Sequence, residues 1–227
     1  MSLAGTLNCQ EVAMYGITMK VSHKGQGVTL RALCKDDLPE LVKHFSSMKI
    51  HMYTKGLFAQ TLENEVEWYE KNRKDPDSCV WGIQPDGSEV VVGVTALHDL
   101  SGRNNSCSSG IIVWDPTWWG KGVASAAHLG RTMFAADYLN CFTLRSSVRV
   151  ENEASRKALE RMGYSIWGTE PVAVPRAGRW LDTHHLKWIH PGMVNILFPG
   201  GLPERLIEGV EKAKVALETA RREVVFP

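Results

Sequence analysis

Two blocks of the chain carry residue types and spacings suited to chemistry. The first is Trp118-Trp119-Gly120-Lys121-Gly122-Val123-Ala124, which follows an apolar run, Gly110-Ile111-Ile112-Val113-Trp114, and a breaker, Asp115-Pro116. A helix-periodic stretch from Val123 to Tyr138 comes next, so the order is strand, glycine turn, helix. Glycine lets the main chain approach a ligand because no Cβ intervenes. The following helix offers unpaired N–H groups and the positive end of its dipole, which suits an anion, above all a phosphate. Lys121 adds a mobile positive charge beside it. The second block runs from Glu151 to Tyr164. Asn152 reads as an N-cap, and Ser155 lies three positions on, so both reach one ligand from the start of one helix. The plain alternatives are a cap and a solvated serine, and capping and ligand contact can coexist.

These blocks need a scaffold, and the pattern supplies one. Val28 to Leu33 alternates as a strand, Asp36 or Asp37 caps a helix to about Met48, and Thr61 caps a second over Leu62–Lys71. Cys79–Ile83 and Val90–Leu97 are strands joined by Pro85-Asp86-Gly87, which has hairpin-turn chemistry. Ser101 to Ser109 is polar and reads as a loop. Phe142–Val148, Tyr164–Trp167 and Trp180–Trp188 are further strands, the last reached through a Pro/Gly-containing loop. The interior order predicts an α/β (α+β) fold, a mixed sheet with helices against it. Three segments result: an irregular N-terminal extension, 1–27, weakly strand-like near Met14 to Val21; a main domain, 28–190; and a C-terminal extension, 191–227. The last holds a helix from Glu204 to about Val224 with Leu206, Val210, Ala213, Leu217, Ala220 and Val224 in one stripe, read as docking on its own domain.

Composition excludes several classes. A formal net charge of +1 gives no global attraction to nucleic acid or anionic membrane. No apolar stretch is long enough to span a bilayer, and a basic-then-apolar leader is lacking. Cys9, Cys34, Cys79, Cys107 and Cys141 are odd in number and widely spaced, which argues against a disulfide framework or structural zinc and for a reducing, cytoplasmic home. No Gly-x-Gly-x-x-Gly and no Gly-Lys-Ser/Thr occurs at the turn, so the common dinucleotide and NTPase loops are excluded. Asp182-Thr183-His184-His185 lacks a convincing third metal ligand.

The run Ile112 to Ala124 resembles the acetyl-CoA signature of GNAT-superfamily N-acetyltransferases, Gln/Arg-x-x-Gly-x-Gly/Ala, which falls on Trp119 to Ala124 with Trp119 replacing Gln/Arg. Glu151 to Tyr164 resembles the Asn-x-x-Ser-x-x-x-Leu-Glu-x-x-Gly-Phe/Tyr helix of the branch containing ribosomal-protein alanine acetyltransferases. The resemblance implies a mostly antiparallel central sheet and transfer of acetyl from acetyl-CoA, as cosubstrate, to a primary amine. That acceptor is a protein N-terminus or a small molecule such as a polyamine or aminoglycoside. It implies coenzyme contacts at Ile112, Val113, Trp114, Trp119, Gly120, Lys121, Gly122, Val123, Ala124, Asn152 and Ser155, without a metal. A backbone N–H of the Ile112–Trp114 strand would polarise the thioester. Where many relatives carry a tyrosine as general acid this chain has Leu159, so Ser155 is expected to stabilise the leaving thiolate. The base stays open among His98, Asp99, Asp182, His184 and His185; Trp118 or Trp180 are candidates for the acceptor pocket. The expected assembly is a monomer or homodimer. The missing tyrosine also motivates an alternative, a non-catalytic acyl-CoA-binding regulatory module.

Overall fold

The computed structural model describes residues 15–45, 47–54 and 59–227. The N-terminal lead-in through residue 14, with Cys9 and the first residue of the strand-like stretch, lies outside them. The chain forms β1 (Met19–His23), β2 (Gln26–Arg31), α1 (Leu38–Phe45), α2 (Met48–His51), α3 (Leu62–Arg73), β3 (Cys79–Pro85), β4 (Gly93–Ser101) and β5 (Ser106–Val113). There follow α4 (Val123–Met133) with a π-helical turn at Phe134–Tyr138, β6 (Thr143–Arg149), α5 (Glu153–Arg161), β7 (Ser165–Arg176), β8 (Arg179–Ile189), α6 (Val194–Leu197), α7 (Glu204–Glu223) and β9 (Val224–Val225). The strands make one sheet in the order β7-β8-β6-β5-β4-β3-β2-β1-β9. Among them only β5 and β6 pair in parallel. The mixed, mostly antiparallel sheet flanked by helices is the architecture expected from the sequence.

Strand alternation divides the core into two layers. Trp81, Ile83 and Leu97 point to one face, where they pack with Leu129, Met133, Leu159 and Leu217 of α4, α5 and α7. Val80 and Ala96 point to the other, where they meet Leu41 of α1 and Trp68 of α3. α4 is buried nearly all round, from Val123 through Met133, because it lies between the sheet and α7. Thr61 caps α3 by accepting from Asn64 N–H at 3.3 Å, and Asn64 Oδ1 returns to Thr61 N–H.

The structure corrects three expectations. Ser101 to Ser109 is mostly strand: only residues 102–105 turn, and β5 starts at Ser106. Its serines find partners inside the fold, Ser108 Oγ donating to Asp99 at 2.8 Å, so a polar composition did not mean a loop. The Pro/Gly segment before Trp180 belongs to a long β7–β8 hairpin that turns at Ala177-Gly178. Prolines are tolerated there because β7 is an edge strand. The expected helix to Met48 is two helices, α1 ending at Phe45 and α2 beginning after Ser47.

The C-terminal stripe is buried: Leu206, Val210, Ala213, Leu217 and Ala220 all face the domain. Val224 instead enters β9, which pairs with β1 through Val21 and Lys20. Docking is close where α7 crosses the end of α5. Gly163 sits at φ +94°, and a Cβ there would lie 2.4 Å from the Ala213 backbone nitrogen. Gly163→Ala therefore combines backbone strain with a clash against main chain. Its expected cost is about 1–3 kcal/mol, read from urea denaturation. An unchanged midpoint would mean that α7 shifts freely.

Candidate active site

The site begins where β5 and β6 part. Their parallel pairing covers Ser106↔Thr143, Cys107↔Leu144 and Ser108↔Arg145 and then stops. Side chains take over the backbone groups that the lost ladder leaves. Ser109 Oγ donates to Arg145 O at 3.2 Å, Ser146 Oγ donates to Ser109 O at 3.1 Å, and Tyr164 O–H donates to Ser109 Oγ at 2.9 Å. From α4, the buried Arg131 donates to Gly110 O at 2.8 Å and to Thr95 Oγ1 at 2.9 Å, fixing β5 where it leaves its neighbour.

A cleft of ≈ 1940 Å³ fills the gap. It runs through the sheet from the α4, α5 and α7 face to the α1–α3 face. Trp114 N–H donates to Val92 O at 3.0 Å, so alternation turns Ile112 toward β4 as well and leaves Ile111 and Val113 facing the open edge. Trp119 Nε1 takes Val113 O at 2.7 Å. Val113 N–H is thus the donor of the Ile112–Trp114 run aimed into the cleft.

At the mouth on the α4 face stands the glycine turn. Gly120 has φ +76° and Gly122 φ +85°, which glycine adopts without the cost a side chain would add. Gly122 is the N-cap of α4 and has no side chain to satisfy the helix. The first intrahelical bond is Ala126 N–H to Gly122 O at 3.0 Å, so the N–H groups of Val123, Ala124 and Ser125 lack helix partners. Across the cleft, Asn152 caps α5 by accepting from Ser155 N–H at 3.2 Å, and both side chains line the wall.

The structure brings Ile112, Val113, Trp119, Gly120, Gly122, Val123, Ala124, Asn152, Ser155, His98 and Asp99 around one cavity. Two expected residues are not there. Trp114 is 1% exposed within the α1–α3 core. Lys121 stands outside the wall with its ammonium 4.9 Å from the centre of the Trp118 ring. Trp118 lines the cleft; Trp180 is exposed on the β7–β8 hairpin and does not. Leu159 is buried and borders the cleft.

The base candidates separate by geometry. Asp182 accepts from Val172 N–H at 2.9 Å, and His184 contacts Thr169 Oγ1 at 2.8 Å; neither lines the cleft. His185 lines it but pairs with Glu170 at 3.1 Å. His98 ends a relay: Ser78 Oγ donates to Asp75 at 2.7 Å and contacts His98 Nδ1 at 3.1 Å. With its one proton committed to the carboxylate, Ser78 Oγ accepts from Nδ1–H, which makes Nε2 the basic nitrogen of the neutral ring. The Ser78 hydroxyl, then the Asp77 N–H, hold the Asp75 carboxyl below its usual range.

Sequence reading missed Arg145 and Arg149. Both lie on the Thr143, Arg145, Ser147, Arg149 face of β6, and the period-2 alternation of Thr143–Arg149 would have marked them. It also missed His128, a fully buried ring on α4 whose Nδ1 accepts from Arg131 at 2.8 Å. Burial, then the neighbouring guanidinium, push its pKa well below the ordinary histidine value.

The family described as acetyltransferase (GNAT) domain matches residues 28–165. The chain belongs to this family, whose members are acetyl-CoA-dependent N-acetyltransferases. A search of curated proteins finds no match. Similar solved structures include a spermidine N-acetyltransferase from Vibrio cholerae in complex with CoA and spermine: 22% identity, TM-score 0.65, covering 71% of this chain and 95% of that one. A GNAT acetyltransferase from Bacillus anthracis is 18% identical with TM-score 0.64 over 76% of this chain and 98% of its own. A ribosomal-protein alpha-N acetyltransferase in complex with coenzyme A is 17% identical with TM-score 0.64 over 71% and 93%. Among the described residues no helix is long and apolar enough to cross a membrane.

The buried His128 predicts a pH effect with a definite sign. Its folded pKa lies below its unfolded value, so the unfolded chain binds more protons once pH drops below about 6.5. Stability contributed by the neutral ring is present above that pH and declines below it. His190, also lowered by burial first, acts in the same direction. Thermal melts from pH 7.5 to 5 should show the decline, and His128→Asn should flatten it. Parallel curves for the two proteins would refute the assignment.

Proposed function

We propose that this chain transfers acetyl from acetyl-CoA directly to a primary amine, a protein N-terminus or a small molecule, within the cleft between β5 and β6. The observation that carries the reading is that the cleft crosses the sheet. It joins a phosphate-ready helix start on one face to a polar chamber holding His98 on the other. Arg145, Ser147 and Arg149 share the His98 side of that chamber by alternation, together with Tyr53 and Thr54 after α2.

In this reading the N–H groups of Val123, Ala124 and Ser125 hold the coenzyme's diphosphate. The free edge of β5 pairs with the amides of the pantetheine arm. Val113 N–H donates to the thioester oxygen, where negative charge develops as the amine attacks. The amine must be neutral to attack, and His98 Nε2 accepts its proton, directly or through a water. The amine nitrogen bonds to the carbonyl carbon, the oxyanion forms and collapses, and the carbon–sulfur bond breaks. Ser155 Oγ–H donates to the departing thiolate, which leaves as the coenzyme A thiol once a proton reaches it. Lys121, held on Trp118, adds to the positive potential at the mouth rather than contacting the cleft. A non-catalytic coenzyme-binding module would share the first two contacts and none of the later steps.

Two experiments test the reading. Gly122→Val adds a side chain at φ +85° over the phosphate site and should weaken acetyl-CoA binding at least about tenfold in calorimetry. Equal binding would place the coenzyme elsewhere. Mass spectrometry of an amine panel with labelled acetyl-CoA identifies the acceptor; with it, His98→Gln should lower kcat/KM by about 10²–10⁴. Wild-type kcat/KM in that variant would reject His98 as the base, and coenzyme binding without any product would favour the non-catalytic module.

A further inference from the structure

The matched family domain ends at residue 165, yet one long wall of the cleft comes from α7. Lys212, Val215, Ala216, Thr219 and Arg222 recur at helical spacing beside the buried stripe and face the cleft. Across from them stand Ala154, Ala158 and Arg161 of α5, and Lys24 in the β1–β2 turn closes the end nearest Gly122. We propose that α7 is the binding wall for the nucleotide arm of coenzyme A, the 3′-phosphoadenosine diphosphate. This inference rests on the reading of the cleft above.

Three features carry it. The first is charge: among the described residues Lys24, Arg161 and Arg222 take no ion-pair partner, although all three face one groove. Lys212 also faces it, paired with Glu208. The acids on the same groove are Glu211 and Glu223, and Glu223 is engaged by His23 at 2.6 Å. The second is shape and polarity. Val215 is 62% exposed on a helix whose other apolar side chains are mostly buried, between cationic positions 212 and 222. Ten residues of helix span about 15 Å, room for a purine beside a ribose that carries both the 3′-phosphate and the 5′-diphosphate. Val215 and Ala216 then support the purine face, Arg222 and Lys24 flank the diphosphate beside Gly122, and Arg161 with Lys212 meets the 3′-phosphate. The third is rigidity. Arg221 holds Asp137 with two bonds of 2.8 Å, β9 pairs with β1, and Ala213 packs on Gly163. The wall is therefore preformed, and little ordering cost falls on ligand binding.

Calorimetry with coenzyme A and with 3′-dephospho-coenzyme A tests the assignment. Arg161 and Arg222 are exposed, so their alanine variants should melt with wild type. Arg222→Ala is expected to weaken both ligands about tenfold. Arg161→Ala should weaken coenzyme A by a similar factor and leave the dephospho ligand unchanged. Wild-type affinity for coenzyme A in both variants would overturn the role of α7 while leaving the cleft itself assigned, since Gly122→Val reports on that separately.

Discussion

The structure depends on how β5 leaves β6. A parallel pair that ends after three positions exposes backbone donors and acceptors in the middle of a sheet, where unsatisfied polar groups are costly. The fold answers on both sides of the split. Ser109, Ser146 and Tyr164 satisfy the groups nearest the fork, and Arg131 reaches up from α4 to hold Gly110 O. The open edge at Ile111 and Val113 and the start of α4 keep N–H groups without partners in the sheet or the helix. Those groups are the ones that a ligand with amides and phosphates would complete. In the proposed reading the pocket is an incomplete sheet whose missing strand the ligand would supply.

That constraint explains why α4 is so deeply buried. Its N-terminus must stay fixed against the fork, and Arg131 ties its middle to β5 while β1 and β2 pack along it. α7 then covers its outer side, and β9 locks the end of α7 to the far edge of the sheet. Buried Arg131 has no carboxylate partner among the described residues; carbonyl, hydroxyl and neutral imidazole acceptors solvate it instead. A neutral His128 is a condition of that arrangement, because a protonated ring could not accept from the guanidinium. The pKa of the imidazole and the position of β5 are therefore coupled through one side chain.

Much of the scaffold was legible in the sequence because it rests on local rules. Thr61 with Asn64, Asn152 with Ser155 and Gly163 at a helix end each declare themselves through capping chemistry, and β1 to β4 show apolar alternation or apolar runs. The glycine turn was legible for the same reason. What escaped was set by tertiary context. Ser106 to Ser109 looked like a loop because the partners of its hydroxyls, Asp99, Arg145 and Tyr164, are remote in sequence or hidden in the fold. Pro175 looked like a breaker because nothing local reveals that β7 is an edge. The resemblance implied Trp114 as a site residue, but strand alternation sends its N–H to Val92 and its ring to the opposite core. The choice among histidines required the Asp75–Ser78 relay, which joins residues 20 and more positions from His98.

The two faces of the sheet also divide the chemistry. In the proposed reading, residues that would meet a nucleotide-bearing donor gather on the α4, α5 and α7 face, where helix termini and cations line the cleft. Residues that could meet an acceptor lie on the other face, around His98, Arg145 and Arg149. Opposite faces allow each half of the cleft to vary without disturbing the other, because a strand side chain commits to one side or the other. In this chain Arg145 and Arg149 bring positive charge to the acceptor half, with Asp99 as its nearby acid. A polycationic ligand would meet repulsion from both arginines there, whereas one that carries a carboxylate would find a partner.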